Sequence, residues 1–395
     1  HFEIASVPSG ASTGSFEAHE LRDCNKKRFF SKGVQNAVNF INTEIKETIL
    51  GFDVTNQKEI DNLLINLDGT ANKNRLGANS ILAVSLACAK VASCFLNTPL
   101  YKYIGGMQNL IPTPMMNIIN GGCHSNNALD FQEFMIVPCG FKKFKDSLRA
   151  GCEIFHVLKS LLSEKGFSTS VGDEGGFAPD ISSNRDCLDL IINAIEKSGY
   201  KPGKDVFIAL DVAASEFFVD KKYNLIGESL NLDGEGLVKY FQNLIENYPI
   251  ISIEDGLDEN DWKNWNILTK EIGNSCQLVG DDLFVTSSKR LKEGIVKNCA
   301  NSILIKLNQI GTVTETIDTI ELAKKNNFNT IISHRSGETE DTFISDFAVG
   351  MCSGQIKTGS LCRSERIAKY NQLLRIEDRE ENIKFSGSDP FQKYL

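Results

Sequence analysis

Asp211, Glu254 and Asp281 each follow a short apolar run, and Lys306, His334 and Lys357 do the same further along. Gathered at one place, three carboxylates would repel and raise one another's pKa unless a cation lay among them. All-oxygen ligands select a hard ion, so magnesium suits this set better than zinc. A single such carboxylate would more simply cap a helix or solvate a loop; the repeated placement is what favours a shared metal. Lys306 adds a candidate base. Its ordinary pKa of about 10.4 is too high for work at neutral pH, but positive charge nearby, from a metal or from Lys357, would lower it. An amine opposite a carboxylate-bound metal suits removal of a proton next to a carboxylate, with the metal stabilising the enolate-like dianion. The competing account is a lysine merely paired with one acid.

Further groups fit the same chemistry. Val171-Gly172-Asp173-Glu174-Gly175-Gly176 sets an acid on a glycine-rich turn, where the backbone can approach a ligand. Phe131-Gln132-Glu133-Phe134 puts polar residues in an otherwise apolar strand, an unusual place for an unpaired Glu. Glu133 could share a proton with Glu174 or hold it. Ser333-His334-Arg335-Ser336 places a fork of donors after a strand. There Arg335 can grip a phosphate with two N–H groups and Ser336 can add a hydroxyl. Cys123 beside His124 suggests a nucleophile or metal site, but adjacent side chains seldom converge on one point.

These groups need elements that bring them together. From residue 206 onward, β-prone runs alternate with amphipathic stretches: Val206–Leu210, Ile250–Ile253, Gln277–Val279, Ser302–Ile305, Thr330–Ile332 and Gln355–Ile356, separated by Leu237–Glu246, Trp262–Ile272, Ser287–Lys297 and Thr312–Lys325. Such alternation predicts parallel strands with helical crossovers, and continuous apolar runs fit strands buried on both faces. The gaps between the charged residues that end these runs, 23 to 43 residues, suit β/α units. In a closed barrel, the strand ends converge on one mouth, which would ring one pocket with ionisable groups. An open doubly wound sheet is the alternative, but no G-x-G-x-x-G follows a first strand. The fold class expected is therefore α/β: a closed (β/α)8-type barrel over 111–395, preceded by a smaller α+β domain over 1–110. In the latter, His1 to about Val7 reads as the tail of a strand, and Val34–Leu50 and Asn79–Leu96 read as helices.

Composition narrows the partners. A net charge of −9 with no basic run argues against nucleic acid, although a few local cations could still hold a small anion. No unbroken apolar run is long enough for a membrane span, and no signal peptide is evident. Eleven cysteines, odd in number and scattered singly, fit reduced cytoplasmic thiols better than a disulfide framework.

In order, these segments resemble the enolase family from about Ser6 to about Glu380. The carrying stretches are Ser6–Gly14 (SVPSGASTG), Asn120–His124 (NGGCH), Gln132–Ile136 (QEFMI), Gly172–Pro179 (GDEGGFAP), Ile253–Leu257 (IEDGL), Val279–Thr286 (VGDDLFVT), Ile305–Gly311 (IKLNQIG), Ser333–Phe343 (SHRSGETEDTF) and Lys357–Leu374. The resemblance implies reversible, magnesium-dependent dehydration of 2-phosphoglycerate to phosphoenolpyruvate. It implies Asp211, Glu254 and Asp281 as ligands of a tightly held magnesium, and Ser12 at a second, substrate-dependent one. It implies Lys306 as the base at C2 and Glu174, with Glu133 beside it, as the acid at the C3 hydroxyl. His124 would lie on a mobile loop near the leaving group. Gln132, Lys357, Arg335, Ser336 and His334 would hold the substrate.

The resemblance further implies a homodimer or higher even oligomer in the cytoplasm, with secretion or surface display and plasminogen binding as a secondary role. The chain ends Lys393-Tyr394-Leu395, without a terminal lysine. It also implies opening strands ahead of His1, whose absence would uncover a sheet edge and part of the dimer contact. A related barrel enzyme acting on acid sugars would share the metal carboxylates but lack Arg335, Ser336 and the GDEGG acid.

Overall fold

The computed structural model describes residues 1–10, 13–107, 109–125, 127–181 and 183–395. Eight strands close into a barrel. In chain order they are β1 Thr113–Asn120, β2 Glu133–Val137, β3 Phe207–Asp211, β4 Ile250–Glu254, β5 Gln277–Gly280, β6 Ser302–Ile305, β7 Asn329–Ser333 and β8 Gly354–Lys357. Nearly every residue in them is buried, as expected of strands covered on both faces.

The expectation of parallel strands holds for all but one. β2 runs antiparallel to both β1 and β3. Among the described residues of 121–132 there is one short 3-10 turn, Gly122–His124, and no crossover helix, so the chain returns beside β1 in the opposite sense. Helices α1 Phe144–Glu164 and α2 Asn184–Lys197 then follow as a pair before β3. The reversal decides where Glu133 lies. It is the first residue of β2 yet pairs with Asn120 and Asp211, the last residues of β1 and β3, and so stands at the same mouth.

From β3 onward strands and helices alternate: α3 Gly234–Asn247, α4 Trp262–Ile272, α5 Ser288–Lys297, α6 Val313–Lys325, α7 Phe343–Gly350 and α8 Ser364–Arg379. Asp233, Asp261, Ser287 and Thr312 immediately precede four of these helices and accept first-turn N–H groups, which starts each helix at that residue. Below the mouth, Met115, Met135, Ala209, Ile251, Val279, Leu304 and Ile331 fill the barrel, and Phe391 from the C-terminal segment plugs its floor.

The smaller unit is helical among the described residues. Helical backbone covers 35–49, with a π turn at Ile41–Ile45, followed by helices Gln57–Asp68 and Ala78–Phe95. Ile45, Ile60, Leu64, Leu76, Ile81 and Val84 form its core. It docks on α6 through buried Asp61, which accepts from the Thr314 N–H (2.9 Å) and hydroxyl (2.6 Å). Helix Ala78–Phe95 is long and apolar enough to cross a membrane, but Ile81, Leu82, Leu86 and Ala89 are buried in the protein core. The strand expected at His1–Val7 does not form. Its backbone bonds to side chains instead, with Lys90 Nζ donating to Ile4 O (2.8 Å) and Ser6 N to Asp341 Oδ2 (2.9 Å).

Candidate active site

The barrel mouth holds a small cavity, with about 30 Å³ open to water-sized groups, lined by Gln132, Glu133, Glu174, Asp211, Asp281, Lys306, His334, Arg335, Ser336 and Lys357, together with Asp255 and Asp282. Strand register sets one row of acids: Glu133 is paired with Asp211, and Asp211 with Glu254. Lys357, at the end of β8, reaches this row. Its Nζ donates to Asp211 Oδ2 (2.7 Å) and Glu254 Oε1 (2.9 Å), and lies 3.2 Å from Glu133 Oε1. Gln132 Nε2 donates to Asp211 Oδ2 at 3.3 Å. Asp281, after β5, is paired with Lys306 and accepts from Gln309 Nε2 at 2.8 Å.

Carboxylates outnumber cations in the lining, six against Lys306, Arg335 and Lys357. Burial, and then repulsion from Glu174, push Glu133 well above the ordinary carboxylate range. Burial and Asp211 do the same to Glu254, and burial and Asp282 to Asp255. Asp282 is pushed up to about 8 by burial and Asp281. Asp281 is held low: burial opposes its charge, but Lys306, Arg335 and Lys357 outweigh burial. Lys306 departs from the sequence expectation. Burial disfavours its charge, yet contact with Asp281 holds the amine above its ordinary value, not below it. The positive neighbours, Arg335 and Lys357, are the weaker influence here because Asp281 touches the amine directly.

The residues fit a hard cation. All the acidic donors are oxygens, Glu254 Oε2 is buried without a hydrogen-bond partner, and the charge imbalance favours added positive charge. Among the described residues, two triples of ligand-capable groups have donor atoms within 4.8 Å of one another: Asp255–Asp281–Asp282 and Glu133–Glu174–His334. Asp211, Glu254 and Asp281 share the mouth without forming such a triple; Lys357 bridges the first two and Lys306 pairs with the third.

Glu174 lies on the turn the glycines allow. Gly175 has φ +87°, and a Cβ there would lie 2.6 Å from Cys362 O. Asn117 Nδ2 donates to Glu174 Oε2 (3.2 Å), and a carboxyl oxygen of Glu133 lies within 4.8 Å of one of Glu174. His334 Nε2 lies 3.4 Å from Glu174 Oε2. Burial drives the imidazole pKa down to about 3, so the ring is neutral. Arg335 is buried and gripped by Glu17, NH1 to Oε2 at 2.8 Å and NH2 to Oε1 at 3.2 Å. Ser336 lines the same cavity. Ser12 and the side chain of His124 lie outside the described residues.

Cys123 is no nucleophile in this setting. Its thiol donates to Glu216 Oε2 (3.1 Å), and burial and Glu216 raise its pKa to about 11. None of the eleven cysteines is joined in a disulfide.

Several site residues escaped the sequence reading. Asp255 and Asp282 were visible as second acids beside Glu254 and Asp281. Asp255 accepts from the backbone N–H of Asp281 (3.0 Å) and Asp282 (2.8 Å), joining the ends of β4 and β5. Glu17 and Arg366 gave no local signal, because each reads as a surface charge.

Family models match almost the whole chain: "Enolase, N-terminal domain" over residues 1–104 and "Enolase, C-terminal TIM barrel domain" over 108–394. With both domain models matched in order and the acids, amines and guanidinium gathered at one barrel mouth, the chain belongs to the enolase family.

Proposed function

We propose that this protein catalyses the reversible dehydration of 2-phosphoglycerate to phosphoenolpyruvate. The observation that carries this reading is the placement of Lys306, the Glu133–Glu174 pair and Arg335 around one buried cavity. Lys306 Nζ, once neutral, takes the proton from C2. Glu174 gives its proton to the C3 hydroxyl as the C3–O bond breaks and water leaves. Glu133 shares that proton beforehand and so keeps Glu174 in its acid form. Arg335 and Ser336 hold the phosphate, while Gln132, His334 and Lys357 orient the rest of the substrate.

Asp211, Glu254 and Asp281 would hold one magnesium ion, and a second would sit near Ser12 when substrate is present; bound there, the metal would supply Lewis-acid stabilisation of the negative charge that develops on the substrate. The carboxylates that would hold it are those now paired with Lys306 and Lys357. The same reading places His124 near the leaving group, in a cytoplasmic homodimer or higher even oligomer.

The test is formation of phosphoenolpyruvate from 2-phosphoglycerate, followed by absorbance, with and without magnesium. Metal-dependent turnover by wild type that vanishes in Lys306→Ala supports the reading; an inactive wild type, or a full-rate Lys306→Ala, rejects it.

A further inference from the structure

Arg366 is a fully buried arginine on α8, with no exposed surface. Its guanidinium does not face a carboxylate in the cavity. It donates to three backbone carbonyls, Arg335 O (2.6 Å), Ser336 O (2.7 Å) and Asp173 O (3.1 Å). One arginine thus ties the turn that carries Glu174 to the segment that carries Arg335 and Ser336. Its socket is shaped for it: Gly359 has φ +82°, and a Cβ there would lie 2.8 Å from Arg366 Cδ. The guanidinium also contacts His334 Nδ1, and its Nε lies 3.7 Å from Glu365 Oε1, outside the cavity.

That contact has a chemical consequence. A guanidinium offers only N–H donors and stays charged, so His334 Nδ1 must accept. A neutral imidazole carries one N–H, which then falls on Nε2. Nε2 is the atom 3.4 Å from Glu174 Oε2. We propose that Arg366 is a positioning residue that fixes His334 in the Nε2–H tautomer and thereby aims a hydrogen-bond donor at Glu174.

The role in the reaction rests on the function proposed above. As the Glu174 O–H bond breaks, its proton passes to the C3 oxygen, and the C3–O electron pair leaves with water. The negative charge left on Glu174 lies 3.4 Å from His334 Nε2, which makes no hydrogen bond in the structure and can bond that charge as it develops. A donor whose bond strengthens as charge develops assists the step more than it assists substrate binding.

The tautomer can be read without turnover. In magnesium-loaded wild-type protein labelled with ¹⁵N-histidine, long-range ¹H–¹⁵N spectra at neutral pH distinguish Nε2–H, Nδ1–H and imidazolium. The His334 signals are assigned by their loss in His334→Gln. The expected result is the Nε2–H form; finding Nδ1–H or imidazolium would overturn the proposal. Arg366→Met removes the donor and should mix the tautomers, lowering kcat about 100-fold while KM changes by less than about threefold. Arg366→Lys keeps a cationic donor and should recover part of both signals; it replaces Arg366→Met if that variant does not fold. A folded Arg366→Met that retains a pure Nε2–H ring and wild-type kcat also refutes the proposal. If wild type makes no phosphoenolpyruvate, the proposed function fails, while the spectra still decide the tautomer.

Discussion

Arg335 and Glu17 form a buried two-point ion pair, with N–O distances of 2.8 and 3.2 Å, that joins the first loop of the chain to the end of β7. Glu17 also accepts from Gly14 N (3.0 Å) and Gln309 Nε2 (3.3 Å), and Gln309 in turn donates to Asp281. The guanidinium proposed to hold phosphate is therefore already matched to an anion of similar fork geometry. Removing one partner of a buried pair leaves the other unsatisfied, at a cost of about 3–5 kcal/mol. Glu17→Ala should lose stability on that scale in urea unfolding, and inorganic phosphate should restore part of it. An equal loss with and without phosphate would show that Arg335 does not accept that anion.

Lys306→Ala should cut turnover by at least about 1,000-fold while leaving the fold intact, since base catalysis contributes on the order of 10²–10⁴ and the amine also lies beside Asp281. Circular dichroism and a steady-state assay on the same sample decide this. A drop below tenfold would move the base elsewhere.

Metal should stabilise the folded state because the unfolded chain has no assembled acids. At a hundredfold excess over Kd the gain is about 2.7 kcal/mol, read as a rise in Tm on adding magnesium and its reversal by chelator. In Asp281→Asn the rise should shrink or vanish. An unchanged rise would remove Asp281 from the ligand set.

A pH effect is expected away from the cavity. Burial raises the Asp346 carboxyl to about 6, against hydrogen bonding from Gln372 and the charge of Lys90. The folded state then holds a proton that the unfolded state has released, so stability falls as pH rises from about 4 through 6, by roughly 3 kcal/mol. Asp346→Asn should flatten that part of the stability curve, measured by denaturant titration at several pH values. A curve parallel to wild type would mean that Asp346 is not the group responsible.

Phe391 is fully buried among the residues that fill the lower barrel. Phe391→Ala should cost about 3–5 kcal/mol in equilibrium unfolding. A cost below 1 kcal/mol would mean the floor repacks.

The barrel was legible wherever an apolar run ended on a charge, because burial on both faces and display at the mouth impose that pattern directly. β1 was not legible. Pro114 and the polar Asn117 and Asn120 interrupt its apolar character, although Pro114 pairs with Ile356 and both asparagines are buried. The reversal of β2 was equally hidden, since strand direction depends on the connection and not on the run itself. Among the site residues, acids and amines could be read one by one, but not who pairs with whom. Asp281 raises Lys306 only because β5 and β6 are neighbours. Arg366 was out of reach because a charged residue on a helix ordinarily faces water.

Phe391 packs into the filled interior of the barrel, so the cavity lies at the mouth alone, beside the Glu17–Arg335 pair. Under the proposed function, ions, substrate and the departing water would share that one approach, and a change at the pair should alter their binding even when the chemistry beneath it is untouched.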